Sequence, residues 1–292
     1  MLLSAERIPS PGPWHSRGAG DPPLPPGAGE VGILGGPKEA AKGCLKVTEH
    51  YLCEEGEGST LGALTYLVRL SGCNLRCWWC DSKQSSFYDD EEKMVPAAAI
   101  EKAALKSKAP WVSFTGGEPT WRSEAELKTL AALCARLRRG GRKIKIETNG
   151  LLAPPALLKV VDLWSVAPKW DGAKKFEDQR TARMDYNHAV LRGLARRFAP
   201  QQMQLKFVIS FGPDARPRAD DLKRALKILS GLRGAKRPPV FFIPEAYGKG
   251  DYLGRCMALG ATVASLAPKA PGWDLRVQPQ WHRVLHGDKR GV

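Results

Sequence analysis

The sequence predicts an α/β protein, a partial (β/α)6-type barrel behind a disordered N-terminal tail. Three observations lead there. From Leu64 onward, short apolar strands alternate with amphipathic helices, the rhythm of parallel βα units around one sheet. Counted from the strand over 64–70, six core strands precede a terminal one, too few for a full eight-fold barrel. Residues 1–43 have a different composition. Eight of the 23 prolines lie there, with many glycines and little apolar periodicity. Such a stretch cannot bury enough surface to offset chain entropy. The expected organisation is therefore a Pro/Gly-rich tail over 1–43 and one domain over 44–292.

Order begins near Cys44. Leu45 to Leu52 alternates as a strand does. Glu54-Glu55-Gly56-Glu57-Gly58 is a glycine-punctuated acidic turn. Leu64 to Leu70 is a second strand and runs straight into a cysteine loop. A helix over Pro96 to Lys106 has proline at its start. Trp111 to Thr115 is a buried strand. Ser123, with Glu126 three residues on, marks a capping box, and Leu127, Leu130, Leu133, Cys134 and Leu137 form the apolar stripe of the helix that follows. The spacing then predicts strands over 143–147, 161–166, 205–210, 240–243 and 275–278. Helices are expected over about 187–198, 220–232 and 250–265.

The totals exclude several classes. The longest apolar runs are too short to span a bilayer. Seven cysteines, three of them clustered, suit a reducing, cytoplasmic setting better than a disulfide scaffold. The formal charge of +15 invites a nucleic-acid reading, yet the basic residues are scattered, as in Arg136, Arg138, Arg139, Arg142, Lys143 and Lys145. No nucleic-acid motif accompanies them. A solvated basic surface is expected, with an anionic substrate as a second contributor. Neither a membrane nor a nucleic acid is an expected partner.

The stretch Ser71-Gly72-Cys73-Asn74-Leu75-Arg76-Cys77-Trp78-Trp79-Cys80-Asp81-Ser82 carries the chemistry. A tight loop with C-x3-C-x2-C spacing turns three thiolates toward one point. That is one short of the four that usually hold an iron–sulfur cluster, so one iron would stay open to a ligand. A zinc site normally has four protein ligands, and no second pair is present, since Cys44, Cys53, Cys134 and Cys256 are isolated. A thioredoxin-type pair would leave Cys73 idle.

Strand ends supply further candidates, since functional groups in such barrels sit at the C-terminal ends of strands. Strand 111–115 ends in Thr115-Gly116-Gly117-Glu118-Pro119, where two glycines let the backbone approach a ligand. Strand 143–147 ends in Glu147-Thr148-Asn149-Gly150, and strand 161–166 in Ala167-Pro168-Lys169. Arg69, between Val68 and Leu70, needs an anion because an unpaired buried charge is costly. Glu55 or Glu57 could supply it, and so could a substrate carboxylate.

At these residues the chain resembles the radical S-adenosylmethionine (SAM) superfamily, whose signature is C-x3-C-x-aromatic-C, with Trp79 in the aromatic place. Within it, the acidic turn, Val68-Arg69-Leu70, the cysteine loop, Thr115 to Pro119, Glu147 to Gly150, Ala167 to Lys169, Lys206-Phe207-Val208, Gln280-Trp281-His282 and Gly287 to Val292 resemble 7-carboxy-7-deazaguanine synthases. The resemblance covers about 44–292 and implies the radical SAM kind of partial barrel. It implies conversion of 6-carboxy-5,6,7,8-tetrahydropterin to 7-carboxy-7-deazaguanine with loss of ammonia, on the route to queuosine and other deazapurines. It also implies a [4Fe-4S] cluster on Cys73, Cys77 and Cys80. SAM would be lined by Trp79, Cys80, Asp81, Gly117, Ala167, Pro168 and Lys169, and the pterin by Glu54, Glu55, Gly56, Arg69 and Thr115. Ser82 would give an oxygen to Mg²⁺. A homodimer and an electron donor such as flavodoxin or ferredoxin are further implications. The sequence departs from the family pattern at three places. Glu55 stands where glutamine is usual, exchanging an amide donor for an acceptor-only group. Ser82 stands for threonine, and Ala167 for serine. Two rival readings are a glycyl-radical-enzyme activase, which shares the cysteine spacing, and a non-catalytic iron–sulfur or tRNA-binding protein. The acidic turn, Arg69 and the Asp81-Ser82 pair fit the first less well, and the three cysteine ligands with the full set of strand-end motifs argue against the second.

Overall fold

The structure, a computed structural model, describes residues 40–75, 77, 79–86, 92–169, 188–232, 234–246, 251–287, 289 and 291. Of the expected tail, residues 1–39 lie outside the described residues, as do Arg76, Trp78, Asp288, Arg290 and Val292. Among the described residues nine strands form one sheet: β1 (Cys44–Glu54), β2 (Leu64–Leu70), β3 (Lys93–Pro96), β4 (Trp111–Gly116), β5 (Lys143–Thr148), β6 (Leu163–Val166), β7 (Met203–Ile209), β8 (Val240–Pro244) and β9 (Leu275–Val277). Their order is β3-β1-β2-β4-β5-β6-β7-β8-β9. From β2 to β9 every pairing is parallel, whereas β1 and β3 join antiparallel at one edge. The expected six core strands before a terminal one are β2, β4, β5, β6, β7 and β8, with β9 closing the series.

Among the described residues seven α-helices accompany the strands: α1 (Lys83–Ser86), α2 (Ala97–Ser107), α3 (Glu124–Arg139), α4 (His188–Arg197), α5 (Ala219–Gly231), α6 (Tyr252–Leu266) and α7 (Trp281–His286). Three elements lack a sequence-level expectation: β3, α1 and α7, of four, four and six residues. Each is too short to show a period. Pro96 ends β3 and caps α2 instead of opening the helix. At α3 only half the capping box forms. The Ser123 hydroxyl accepts from the Glu126 amide at 3.2 Å, while the Glu126 carboxylate accepts from the Lys46 amide at 3.5 Å. Among the described residues no helix is long and apolar enough to cross a membrane.

The strands have two different faces. Val112 and Phe114 of β4, Ile144 and Ile146 of β5, Trp164 and Val166 of β6, and Leu205 and Phe207 of β7 pack in one core with Leu130, Leu133 and Leu137 of α3, and with Leu191 of α4 and Leu222 of α5. Strand side chains alternate faces, so the intervening residues point into the barrel. These are Ser113 and Thr115, Lys145 and Glu147, Ser165, and Gln204 and Lys206. Parallel strands in ordinary α/β sheets are apolar on both faces. A buried polar inner face therefore marks an interior built to hold something charged.

The β1–β2 connection closes one end of this interior. Glu54 pairs with Leu64, so the connection lies at the N-terminal ends of the parallel strands. Its Ser59 amide donates to Gln204 Oε1 at 2.8 Å, and its Gly58 amide to Gln278 Oε1 at 2.6 Å. Gly58 has φ of +78° and a Cβ there would meet the Gln204 side chain at 2.0 Å, so only glycine fits. The other end carries the cysteine loop.

Candidate active site

Between these two ends lies a cavity of about 290 Å³. It is lined by all the cluster, SAM, substrate and metal residues the resemblance implies, except Pro168, and of the strand-end motifs it misses Pro119 and Gly150. The cysteine loop leaves the carboxyl end of β2 and is tied down by neighbouring strand ends. Gly117 donates to Leu70 O at 2.7 Å and Glu118 to Gly72 O at 2.9 Å. Arg122, itself buried, donates to Ser71 O and, at 2.8 Å, to Gly72 O. Gly116 has φ of +99°, in the region that favours glycine. A Cβ on Gly117 would meet Gly72 O at 2.0 Å. The two glycines therefore let β4 close directly on the cysteine loop.

Glu118 locks the next strand end. Its carboxylate accepts from Thr120 N (2.9 Å), Thr120 Oγ1 (2.7 Å), Thr148 Oγ1 (2.7 Å) and Asn149 N (2.7 Å). Asn149 Nδ2 in turn donates to Asn74 Oδ1 at 2.8 Å, between Cys73 and Cys77. The two strand-end motifs thus hold each other, and together they hold the loop.

The three thiols share an apolar surround. Cys77, Leu75, Trp79 and Leu151 are buried together, with Cys73, Cys80 and Val208 packed against them. Burial pushes the Cys73 thiol well up, and Glu118, Cys77 and Cys80 add to the rise against one amide donated by Leu75 at 3.4 Å. Three thiolates in such a place need cationic metal to offset them. The donor set, three soft sulfurs at one cavity wall, fits a cluster held through three irons. Cys80 Sγ also lies 3.7 Å from Ser82 Oγ and 3.6 Å from Ser86 Oγ.

The interior charges form one network that sequence reading sees only in part. Lys145, expected on a solvated basic surface, is buried, and so is Lys206. Lys145 Nζ lies 2.9 Å from Glu55 Oε1 and 2.8 Å from Glu147 Oε1, and Lys206 Nζ lies 2.7 Å from Glu57 Oε2 and 3.0 Å from Glu147 Oε1. Burial alone would raise the Glu147 carboxyl, but Lys145 and Lys206 outweigh it and hold it far below the usual range. Likewise burial would lower Lys206, yet Glu147 and Glu57 raise it. The visible signal is the alternation Lys143-Ile144-Lys145-Ile146-Glu147, polar on one face of a strand that helices cover on the other.

Arg69 finds neither Glu55 nor Glu57. Its Nε lies 2.7 Å from Glu49 Oε1. A bulge between Val47 and Glu49 shifts the antiparallel register and puts Glu49 directly opposite Arg69. Burial would lower the guanidinium's pKa, but Tyr51, Glu49 and Asp81 raise it above its ordinary value. Burial would also raise Asp81, but His282, Arg69 and a 3.0 Å bond from Gln280 Nε2 hold it low. Gln280 Nε2 also donates to Glu57 Oε1 at 2.6 Å, tying the turn at one end of the cavity to the loop at the other. Glu54 is more exposed, with a carboxylate oxygen 3.9 Å from His286 Nε2. Cys53 faces the cavity from β1, where burial pushes its thiol to about 12 and keeps it neutral.

A partial parallel barrel with three cysteines at the end of its first parallel strand defines a radical SAM protein. The model of the Radical SAM superfamily matches residues 67–169. The chain belongs to the 7-carboxy-7-deazaguanine synthase family. It is 30% identical over 251 residues to the 7-carboxy-7-deazaguanine synthase of Halobacterium salinarum, covering 84% of this chain and 91% of that one. With the Pyrobaculum aerophilum synthase it shares 28% over 253 residues, 85% and 97% of the two chains. The crystal structure of QueE from Escherichia coli has the same fold, with a TM-score of 0.57, 18% identity, and coverage of 82% of this chain and 95% of that one.

Proposed function

We propose that this chain is a radical SAM lyase that converts 6-carboxy-5,6,7,8-tetrahydropterin to 7-carboxy-7-deazaguanine with loss of ammonia. The observation that carries the reading is the cavity itself. It has the three thiols at one end, a sealed turn at the other, and a buried charged wall between them. A cavity of about 290 Å³ suits a small heterocycle better than a protein segment.

On this reading Cys73, Cys77 and Cys80 hold the cluster. Bound there, the cluster and SAM supply a carbon-centred radical able to abstract hydrogen from the substrate. Asp81, Gly117 and Lys169 line the SAM side of the cavity with Trp79, Cys80 and Ala167. Pro168 acts only through the backbone course it imposes on its neighbours. Arg69, held by Glu49 and by a side-chain hydrogen bond with Tyr51, faces the substrate carboxylate with its guanidinium. Thr115, whose hydroxyl donates to Glu147 Oε2 at 3.3 Å, and the turn Glu54-Glu55-Gly56 meet the ring. Ser82 gives one oxygen to Mg²⁺, whose remaining ligands would come from substrate and water. The sealed turn keeps bulk water from the reacting atoms. A homodimer, a flavodoxin or ferredoxin as reductant and a cytoplasmic location belong to the same proposal.

The test is anaerobic cluster reconstitution, addition of SAM, Mg²⁺ and the pterin under reducing conditions, and mass spectrometry of the product. The expected product is 7-carboxy-7-deazaguanine. Iron-loaded protein that cleaves SAM but leaves the pterin intact overturns the substrate assignment.

A further inference from the structure

Three carboxylates meet two ammonium groups inside the barrel. Glu147 Oε1 takes both Lys145 and Lys206. Glu57 takes Lys206 through Oε2 and the Gln280 amide through Oε1. Glu55 is left with a single bond, from Lys145 to its Oε1 at 2.9 Å. Its side chain is 7% exposed, it lines the cavity, and its Oε2 is buried with no hydrogen-bond partner. Lys145 and Glu147 face it from β5, Lys206 from β7, Cys53 from β1, Glu57 from its own turn, and His282 of α7 lies against the adjacent Gly56. None of these donates to Oε2.

An ionised Glu55 would set three negative charges against two positive ones in a buried site, with one anionic oxygen given no protein donor. Both are costly. We propose that Glu55 stands in the barrel as the uncharged carboxylic acid, with its proton on Oε2, and donates that proton's hydrogen bond to an acceptor atom of the pterin ring. Burial raises its pKa, with Lys145 opposing, which agrees with the geometry. A neutral glutamate offers one acceptor and one donor, the two roles of a glutamine amide. The departure from the family pattern at this position is then chemically conservative. The ligand in this inference rests on the function proposed above, whereas the protonation state does not.

The test uses reconstituted holoenzyme and two readouts. Infrared difference spectra of wild type against Glu55→Gln are recorded without pterin, from mildly acidic to alkaline pH. Pterin affinity is then measured over the same range with SAM omitted, so that nothing turns over. A protonated-carboxyl band at neutral pH, absent from Glu55→Gln, is expected. Wild-type affinity should fall about tenfold per pH unit once that band disappears. Glu55→Gln should bind without that fall, while Glu55→Ala binds about tenfold or more weakly. The wild-type-to-Gln ratio cancels titration of the pterin itself. The proposal is overturned by the absence of the band at neutral pH, by Glu55→Ala binding as well as wild type, or by a ratio that ignores the band's disappearance. If the band is present but neither protein binds the pterin, the substrate reading fails and takes the donor role with it. If the band is missing and the pterin binds, only the protonation state fails.

Discussion

Gly117→Ala tests whether the glycine turn exists to let β4 close on the cysteine loop. The added Cβ would lie 2.0 Å from Gly72 O, 2.5 Å from Gly72 C and 3.0 Å from Gly72 N. All three are backbone atoms of the segment that leads into Cys73, so no side chain can swing aside. Restoring ordinary contact requires the loop to move by about 1 Å or more, and the Glu118 N to Gly72 O bond of 2.9 Å must stretch with it. Overpacking of this kind costs about 1–3 kcal/mol of stability. The functional effect should be larger, because a displacement of about 1 Å at a reacting group can cost on the order of 100-fold in rate. The assay compares turnover, iron content and urea midpoint for Gly117→Ala, with Gly193→Ala as control. Gly193 lies within α4 with no heavy atom in reach of an added Cβ, so alanine there should be neutral or stabilising by about 0.5–1 kcal/mol. Gly117→Ala turnover within threefold of wild type, at full iron loading, would refute the reasoning.

Three further outcomes follow from the interior charges. Lys145→Met should cost about 3–5 kcal/mol, because it strips the Glu55 carboxyl of its one ion pair and leaves Glu147 with one cation, Lys206, in place of two. A loss under about 1 kcal/mol in urea unfolding would contradict the network. Glu147 is held below its ordinary 4.5, so the folded chain binds its proton less readily than the unfolded chain does. Its contribution is therefore complete above that value and lost as pH falls below it. Urea midpoints should drop in acid for wild type and less steeply for Glu147→Gln. Arg69→Ala should lose pterin turnover while keeping its cluster and SAM cleavage, and Arg69→Lys should recover little, since a point charge cannot replace a fork. Loss of the fold or cluster on Arg69→Ala would make the 2.7 Å pair with Glu49 purely structural.

Eight of the nine strands, the parallel course from β2 onward and the cysteine loop were legible in the sequence, whereas β3, four residues long, was not. Those follow from local periodicity and from spacing within a dozen residues, which a chain carries before it folds. The boundaries fell within a few residues. The strand over 161–166 begins at Leu163, the one over 205–210 runs Met203–Ile209, and the helix expected over 250–265 runs Tyr252–Leu266. The pairing of charges was not legible in the same way. Arg69 meets Glu49 because a bulge 20 residues away in sequence sets the β1–β2 register. Lys145 reads as one of the scattered cations, and Lys206 as part of a short family-like motif with no partner, until the barrel closes and the acidic turn crosses its end, bringing Glu57 to Lys206 across 149 residues. Which partner a buried charge finds is fixed by strand register and barrel curvature, and both are long-range properties. Only the tertiary structure could therefore decide that Lys145 and Lys206 belong to the site, and that Glu55 has one oxygen without a partner.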